Sequence, residues 1–537
     1  MTSEKREPER PPRAKIGDMV TLAGWPKTAT APRRAGTDVT VTEMDHAAYY
    51  RLTAARDARY DGRFFIGVKT TGVYCRPICR VRTPKPSSCV FFPSAVAAQA
   101  AGFRPCLRCR PETAPALAAW HGTSTTVDRA LALIADGALD DGGLEALARR
   151  LGVGDRHLRR LFAEHLGVTP VAVAQIRRAL FAKRLITESA MSMADVAMAA
   201  GFGSVRRFNE AMRSVYHRSP TNLRHTRARQ ERAEAVTLNL AYTGAYDWNG
   251  MAAWLGARAI PGVEAITPDG RYVRAVCVDG SLGTIEVSPP AASPNGNALV
   301  AVIRIGAVGK LLSVVDRVKR IFDLAADPEA IEAHLRSDPL LASSIARRPG
   351  LRVPGAWDGF ELAVRAILGQ QISVGAATRL AGRLVEPFGT ALPAHLRSGD
   401  HDVRAVFPSP AVLAGADVAS IGMPKARGEA IRTVARAALS DPTLFEPSHD
   451  LSGAVERLRA LPGIGEWTAQ YIAMRALREP DAFPAADIGL MRALTGADGV
   501  RPTERMVFAR ADAWRPWRAY AALHLWALDG DRTEVGP

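Results

Sequence analysis

The sequence predicts a multidomain α+β protein, and three observations support this prediction. The chain has 537 residues, which exceeds the usual size of a single domain. Four cysteines in two close pairs lie near its N-terminus. Alternating apolar residues predict strands between positions 236 and 305, whereas helical periodicity dominates most of the remaining chain.

We expect an extension followed by four folded units. Residues 1–43 are rich in Pro, Arg, Lys and Thr and lack apolar periodicity, which is typical of disorder. The folded units are a small α/β domain at 44–113, an all-α domain at 125–226, a mixed β/α lobe at 235–325 and an all-α domain at 326–537.

The charge balance favours a polyanionic partner. The formal net charge is +16 and the pI is near 10.0, so nucleic acid is the expected partner. Six cysteines, four of them spaced like metal ligands, fit a reducing cytoplasm better than a disulfide scaffold. The N-terminus has no apolar signal segment, and Arg304 and Lys310 interrupt the most apolar stretch. We expect a cytoplasmic, nucleoid-associated monomer that does not bind membranes.

The four paired cysteines predict a zinc site. Cys75, Cys79, Cys106 and Cys109 follow the spacing C-x3-C-x26-C-x2-C, and two close pairs can supply a tetrahedral thiolate cage for one Zn²⁺. Cys89 lies outside this spacing and is interpreted as a packed free thiol. Basic residues surround the four ligands and favour phosphate nearby: Arg76, Arg80, Arg82, Lys85, Arg104, Arg108 and Arg110. A purely structural zinc site is the alternative.

Three sequence segments resemble the methylphosphotriester-accepting domain of Ada-type adaptive-response proteins. They are DGRFF (61–65), TTGVYCRPICR (70–80) and AGFRPCLRCRPE (101–112). The resemblance implies that Cys75 accepts the methyl group and that methylation converts a repair protein into an activator. It also implies contacts to the DNA backbone from Thr71, Arg80, Arg82 and Arg104.

The chemistry of this resemblance is physically reasonable. Zinc keeps the Cys75 thiolate ionised at neutral pH, and the thiolate is the nucleophile. A methyl phosphotriester has lost its negative charge, so it does not repel a thiolate as an ordinary phosphate does. Methylation removes one negative charge from the zinc cluster, which should strengthen its binding to DNA.

Two helix-turn-helix patterns follow, at 143–167 and 192–220. Each has a helix of small residues, a turn with Gly152 or Gly201, and a basic amphipathic helix. The second pattern resembles the AraC-type DNA-binding domain, which implies recognition helices near 155–162 and 204–212 and a role with RNA polymerase. Residues that could contact bases or phosphates are Arg156, His157, Arg159, Arg160, Ser204, Arg206, Arg207 and Asn209.

The C-terminal part contains a helix-hairpin-helix pattern. In LPGIGEWTAQYIAMRA (461–476), Gly463 and Gly465 allow the backbone to approach a phosphate at a helix start. With FPAADIGLMRA (483–493), this pattern resembles the AlkA-type 3-methyladenine DNA glycosylases of the helix-hairpin-helix superfamily. The other matching segments are YDW (246–248), RAILGQQISV (365–374) and WRPWRAYAALHLW (514–526).

This second resemblance implies a base pocket and a catalytic carboxylate. Trp467, Tyr471 and Trp526 would hold an extruded cationic base by cation–π stacking. Asp487 would stabilise the oxocarbenium-like sugar and position or activate water. The alternatives are that Asp487 only caps a helix and that the aromatic rings belong to the core.

Several positions differ from the pattern of this glycosylase family. Ala486 and Ile488 flank Asp487 where an acidic and an aromatic residue are common, so the lesion range is open. Gln371 occupies the position of the DNA wedge, which is often Leu. Trp467 stands where bifunctional relatives have a lysine, which predicts a monofunctional glycosylase. A transcription factor with a catalytically silent glycosylase unit is the alternative to the bifunctional protein.

Overall fold

The structure is a computed structural model. It describes residues 46–57, 60–92, 94–114, 125–135, 137–140, 143–166, 168–224, 235–291, 297–397, 399, 402–446, 451–496 and 499–534. The extension at 1–43, predicted to be disordered, lies outside the described residues. Among the described helices, none is long and apolar enough to cross a membrane.

A four-stranded sheet in the order β3-β1-β2-β4 organises the cysteine-bearing domain. The first three strands pair antiparallel, whereas β2 and β4 run parallel. One side chain cluster packs around Phe64 and Ile66, and another packs around Phe65 and Tyr74, as expected for alternating strand residues. The elements are α1 (His46–Ala55), β1 (Phe65–Val68), β2 (Val73–Cys75), β3 (Cys89–Phe92), α2 (Ala95–Ala100) and β4 (Arg104–Pro105).

The next domain is helical and contains both predicted helix-turn-helix units. The turns in front of α5 and α8 contain Gly152 and Gly201, each with positive φ. Phe208, Met212 and Tyr216 recur every four residues on α8 and are buried, which gives this helix one apolar face. The helices are α3 (Thr125–Ala135), α4 (Leu144–Arg150), α5 (Asp155–Leu166), α6 (Pro170–Glu188), α7 (Met193–Ala199), α8 (Val205–Tyr216) and α9 (Pro220–Leu223).

An antiparallel five-stranded sheet in the order β5-β9-β8-β7-β6 forms the next lobe. The strands predicted from alternation between positions 236 and 305 are present as β5, β7, β8 and β9, and the short strand β6 lies at the edge of the sheet. The elements are β5 (Val236–Ala241), α10 (Trp248–Ala257), β6 (Glu264–Ile266), β7 (Tyr272–Val278), β8 (Ser281–Ala291), β9 (Ala298–Ile305) and α11 (Leu311–Ile321).

Helices then continue to the end of the described chain around the largest apolar core. A two-residue strand pair, β10 (Thr390–Ala391) and β11 (Ala405–Val406), interrupts the predicted all-α pattern. The helices are α12 (Pro328–Leu335), α13 (Pro339–Arg347), α14 (Gly359–Leu368), α15 (Val374–Phe388), α16 (Pro410–Leu413), α17 (Lys425–Ser440), α18 (Leu451–Arg459), α19 (Glu466–Arg475), α20 (Ile488–Ala493), α21 (Glu504–Ala511) and α22 (Arg518–Glu534).

The domains share interfaces among their described residues. A single apolar core contains residues of α6 to α9 together with residues of the five-stranded sheet and α11. Arg177 of α6 pairs with Asp140 at 2.8 Å and with Asp316 of α11. Arg63 of the cysteine-bearing domain pairs with Asp327 at 2.7 Å. The second helix-turn-helix unit is therefore packed against the β/α lobe.

Candidate metal centre, DNA-binding surface and base pocket

The parallel pairing of β2 and β4 brings the two cysteine pairs together. Tyr74 is opposite Pro105, and the backbone N–H of Cys106 donates to the Tyr74 carbonyl at 2.9 Å. Cys75 and Cys106 thus lie side by side at the ends of adjacent strands. Tight turns then return Cys79 and Cys109 to the same place, and the four Sγ atoms all lie within 4.8 Å of one another.

This cluster fits one zinc ion. Four thiolates at about 2.3 Å from a tetrahedral zinc are separated by about 3.8 Å, which is compatible with the observed grouping. Contact with the Cys106 thiol, followed by contacts with Cys109 and Cys79 and by burial, raises the pKa of Cys75 far above its ordinary value. A dication removes that penalty, because it holds all four sulfurs as thiolates. The four cysteines therefore form a buried site for one Zn²⁺.

Arg76 supports this site from within the protein. Its side chain is 1% exposed and donates to both carboxylate oxygens of Asp61, and it also donates to the Cys109 carbonyl at 3.3 Å. Its backbone N–H donates to the Cys109 sulfur at 3.4 Å. Arg76 is one of the basic residues whose grouping around the cysteines favoured phosphate nearby, but its guanidinium is buried in an ion pair and does not face solvent.

The other residues expected to touch DNA near the cluster differ in exposure. Thr71, Arg80 and Arg82 are exposed, whereas Arg104 is half-buried on β4. Cys75 itself is 7% exposed. Cys89 lies in the core of the domain, with its thiol donating to the Lys85 carbonyl at 3.4 Å, as predicted for a packed free thiol.

Both predicted recognition helices present arginines to solvent. Arg156 and Arg159 are exposed on α5, and Arg206 and Arg207 are exposed on α8. The Ser204 hydroxyl accepts from the Arg207 backbone N–H at 3.2 Å, so Ser204 is the N-cap of α8. Each helix therefore offers a basic face next to a helix start.

The carboxylate of Asp487 accepts four hydrogen bonds from described residues. Its Oδ1 accepts from the backbone N–H groups of Gly489 at 2.8 Å and Leu490 at 3.1 Å, which makes Asp487 the N-cap of α20. Trp526 Nε1 also donates to Oδ1 at 2.8 Å, and Trp467 Nε1 donates to Oδ2 at 2.7 Å. Helix capping was the alternative to a catalytic role for Asp487; the structure shows the cap, and the catalytic role stays a prediction.

The predicted aromatic residues form one cluster beside this carboxylate. Trp467 and Tyr471 are four residues apart on α19, so they share a face and stack at 5.1 Å with an interplanar angle of 9°. Tyr471 meets Trp526 edge-on at 6.4 Å. Trp254 of α10 packs against Trp526 at 5.5 Å. Trp254 was not predicted from the sequence, although it lies six residues after the matching YDW segment.

Two arginines lie behind the aromatic cluster. The Arg258 guanidinium lies 3.6 Å from the centre of the Trp254 ring, and Arg475 donates to the Tyr471 hydroxyl at 2.5 Å. Burial alone would raise the pKa of Tyr471, but the charges of Arg475 and Arg258 outweigh it and hold this pKa below its usual value. Arg475 is fixed in place because it also donates to the carbonyls of Pro354 and Gly355.

A hydrogen bond joins the turn of the helix-hairpin-helix to the residue next to the predicted wedge. Gly463 has φ +88°, and a Cβ there would lie 2.5 Å from Ala430 Cβ, so a larger residue does not fit. Gly465 is the N-cap of α19 and has open space around it. The Gln370 side chain donates to the Gly463 carbonyl at 2.8 Å. Gln371, the predicted wedge, follows it with φ +61° and is exposed.

Four family models match consecutive parts of the chain. Residues 48–112 match the metal binding domain of Ada, and residues 147–226 match a helix-turn-helix domain. Residues 237–358 match the AlkA N-terminal domain, and residues 364–519 match the HhH-GPD superfamily of base excision DNA repair proteins.

Similar proteins cover the chain in whole and in part. The probable bifunctional transcriptional activator/DNA repair enzyme AlkA of Mycobacterium tuberculosis is 41% identical over 488 residues, which is 90% of this chain and 96% of that protein. DNA-3-methyladenine glycosylase 2 of Escherichia coli is 34% identical over 53% of this chain and 95% of its own length. The bifunctional transcriptional activator/DNA repair enzyme Ada of Escherichia coli is 39% identical over 24% of this chain and 35% of its own length. The chain belongs to the family of bifunctional AlkA-type proteins, in which an Ada-type metal-binding domain and a helix-turn-helix domain precede an HhH-GPD glycosylase unit.

Proposed function

We propose that this protein responds to alkylated DNA through two chemically separate sites. One site accepts a methyl group from DNA methylphosphotriesters on Cys75 and thereby activates transcription of repair genes. The other excises alkylated bases of the 3-methyladenine type as a monofunctional glycosylase. The protein would act in the cytoplasm on nucleoid DNA as a monomer and would recruit RNA polymerase.

The single observation that carries the glycosylase proposal is the position of Asp487. A carboxylate that accepts two indole N–H groups at 2.7 and 2.8 Å lies at the edge of a four-ring aromatic cluster. An extruded cationic base can stack on such rings, while the carboxylate stabilises the positive charge that develops on the sugar. The exposed Gln371 would fill the gap that the extruded nucleotide leaves in the duplex. The backbone at Gly463 and Gly465 would contact a DNA phosphate.

The methyl-acceptor proposal rests on the cluster and its exposed surroundings. The Cys75 thiolate would attack the methyl carbon of the triester, forming a sulfur–carbon bond as the carbon–oxygen bond breaks. The DNA phosphate then leaves as a diester anion. Thr71, Arg80 and Arg82 are exposed near the cluster and would contact the DNA backbone together with Arg104. Methylation would lower the negative charge of the cluster and favour promoter binding through α5 and α8.

Base release tests the glycosylase proposal. A duplex treated with a simple methylating agent is incubated with the intact protein and with Asp487→Asn, and free 3-methyladenine is measured. We expect release by the intact protein and loss of release in the variant. Absence of release from both proteins would leave the C-terminal half as a DNA-binding module of a transcription factor.

Peptide mass spectrometry tests the methyl-acceptor proposal. After incubation with methylated DNA, we expect one added methyl group on the peptide that carries Cys75. An unmodified cluster, or methylation of Cys79 instead, would contradict the proposal. An unmodified cluster would mean that the zinc site is purely structural.

A further inference from the structure

The two indoles beside Asp487 point their edges at its carboxylate. An indole N–H can only donate, so each ring has one polar atom, and in both rings that atom is committed to Asp487. Trp467 reaches Oδ2 at 2.7 Å, and Trp526 reaches Oδ1 at 2.8 Å. These hydrogen bonds do not use the faces of the rings. Each ring can therefore hold the carboxylate through its edge and stack on a base through its face.

We propose that Trp467 and Trp526 are positioning residues for the Asp487 carboxylate, in addition to forming walls of the pocket. This inference rests on the proposed glycosylase function. It assigns the edge of each ring a task that is distinct from stacking on a base.

The need for these donors follows from the other contacts of the carboxylate. The backbone N–H groups of Gly489 and Leu490 both hold Oδ1. A carboxylate held through one oxygen can still rotate about its bond to the side chain. Among the described residues, the hydrogen bond to Oδ2 comes from Trp467. This bond therefore fixes the plane of the carboxylate. Trp526 adds a third donor to Oδ1, and hydrogen bonds to an ionised acceptor are stronger than neutral ones.

The indoles are themselves held in place by the protein interior. Trp467 stacks on Tyr471 within 9° of parallel, and the Tyr471 hydroxyl accepts from the buried Arg475. The segment before Asp487 is also tied to α19, because the Phe483 backbone N–H donates to Gln470 Oε1 at 3.1 Å. The donors and the acceptor are therefore aligned before any base enters the pocket, as electrostatic catalysis requires.

Trp254 provides an internal control for this inference. Its ring packs against Trp526 at 5.5 Å, so it belongs to the same cluster. Its Nε1 is buried, yet it has no hydrogen-bond partner among the described residues. Replacement of Trp254 by Phe removes ring area but no hydrogen bond. The same replacement at Trp467 or Trp526 removes ring area and also the hydrogen bond to Asp487.

The two roles predict different dependence on the base. The orientation of Asp487 determines how well its carboxylate stabilises the positive charge that develops on the sugar. Loss of this orientation should therefore slow the release of a neutral and a cationic base by the same factor. Stacking is stronger for a cationic base, so a loss of ring area should affect that base more.

The experiment uses the full chain with Trp467→Phe, Trp526→Phe and Trp254→Phe. Single-turnover release is measured from duplexes that contain 7-methylguanine, which is cationic, or hypoxanthine, which is neutral. The Kd for each duplex and the thermal unfolding of each variant are measured in parallel. For Trp467→Phe and Trp526→Phe we expect release of the neutral base to be slower by about 10- to 100-fold, because the hydrogen bond to Asp487 is lost, with little change in Kd. The cationic base should show this same loss plus the smaller stacking loss that Trp254→Phe shows. For Trp254→Phe we expect a smaller loss that falls mainly on 7-methylguanine.

Two results would overturn the inference. One is a loss in Trp467→Phe and Trp526→Phe no larger than the loss in Trp254→Phe. The other is a loss confined to the cationic base, which would make the two indoles walls and nothing more. An intact protein that releases neither of these bases, and no 3-methyladenine in the base-release assay above, would instead refute the proposed function, and the inference would fall with it.

Discussion

The guanidinium of Arg76 forms a buried ion pair with the carboxylate of Asp61, directly beside the four-cysteine cluster. Arg76 lies between Cys75 and Cys79, so its ion pair with Asp61 anchors that segment. The same guanidinium also donates to the Cys109 carbonyl, which links the segment to the second cysteine pair. One side chain thus connects both halves of the zinc site to the sheet domain around it.

Asp61→Asn should weaken zinc retention. Loss of one partner leaves the Arg76 charge buried without compensation, which costs about 3 kcal/mol. The measurement is the urea concentration at which zinc is released, detected with a colorimetric chelator. Arg108→Ala is the control, because Arg108 is exposed between Cys106 and Cys109. Equal zinc retention in Asp61→Asn and the intact protein would contradict the anchoring role of the pair.

Zinc removal should unfold the first domain and spare the glycosylase core. The apolar clusters around Phe64 and Tyr74 are small, whereas the C-terminal core is large and independent of the cysteines. Small domains of this kind depend on their metal for stability. Hydrogen exchange after chelation should show lost protection in β1 and β2 and retained protection in α19 and α22. Equal loss of protection in α19 would show that the cluster supports the whole chain.

His524 should make folding sensitive to mild acid. Burial, and to a smaller extent the charge of Arg348, lowers the pKa of His524 to about 4 from 6.5. As the pH falls through 6.5, His524 binds a proton in the unfolded chain but stays neutral in the folded chain. The stability contribution is therefore fully present above pH 6.5 and declines by about 3 kcal/mol down to pH 4.

His524→Gln isolates this contribution. The variant loses the contact between Ser344 Oγ and His524 Nδ1 at 3.0 Å, so its stability at pH 7.5 should be lower. The difference between the two proteins should shrink as the pH falls to 4.5, because the variant has no histidine to protonate. Urea unfolding at both pH values measures the difference. A constant difference would mean that His524 has an ordinary pKa.

Gln371 should contribute to DNA binding through its side chain and slightly oppose folding through its backbone. Because its φ is +61°, Gln371→Gly relieves a left-handed conformation and should raise the free energy of unfolding by up to about 1 kcal/mol. The same change removes the side chain proposed as the wedge and should weaken binding to a duplex with an abasic site by about tenfold. Gln371→Ala, which keeps a Cβ, should weaken binding equally. If Gln371→Ala binds like the intact protein, the side chain is not the wedge.

Local spacing in the sequence was sufficient to predict the four-cysteine cluster, whereas the residues of the base pocket were predicted through a family resemblance. The cysteine pairs predicted the cluster because short turns must bring each pair together. Trp467 and Tyr471 were expected in the base pocket through the resemblance to AlkA-type glycosylases, and their stacking on one face of α19 is a finding of the structure. The strands β5, β7, β8 and β9 followed from alternation. The cysteine pairs and the strands depend on neighbours within a few residues, so the sequence alone contains them.

Features that depend on long-range packing were not predictable in this way. Trp254 reaches the pocket from α10, a helix that lies far from α19 along the chain. The burial of Arg76 depends on Asp61, which only the folded sheet places beside it. The packing of the second helix-turn-helix unit against the β/α lobe likewise arises from a shared core. No residue spacing indicates such contacts in advance.

The most direct test of two separate chemistries on one chain is a single reaction with two readouts. The full chain is incubated with a duplex that carries both methylphosphotriesters and methylated bases, and released base and methylated Cys75 are measured together. We predict both products from the intact protein. Asp487→Asn should lose base release and retain methylation, and Cys75→Ala should do the reverse. Loss of both products in either single variant would contradict the account, because it would mean that the two sites do not act independently.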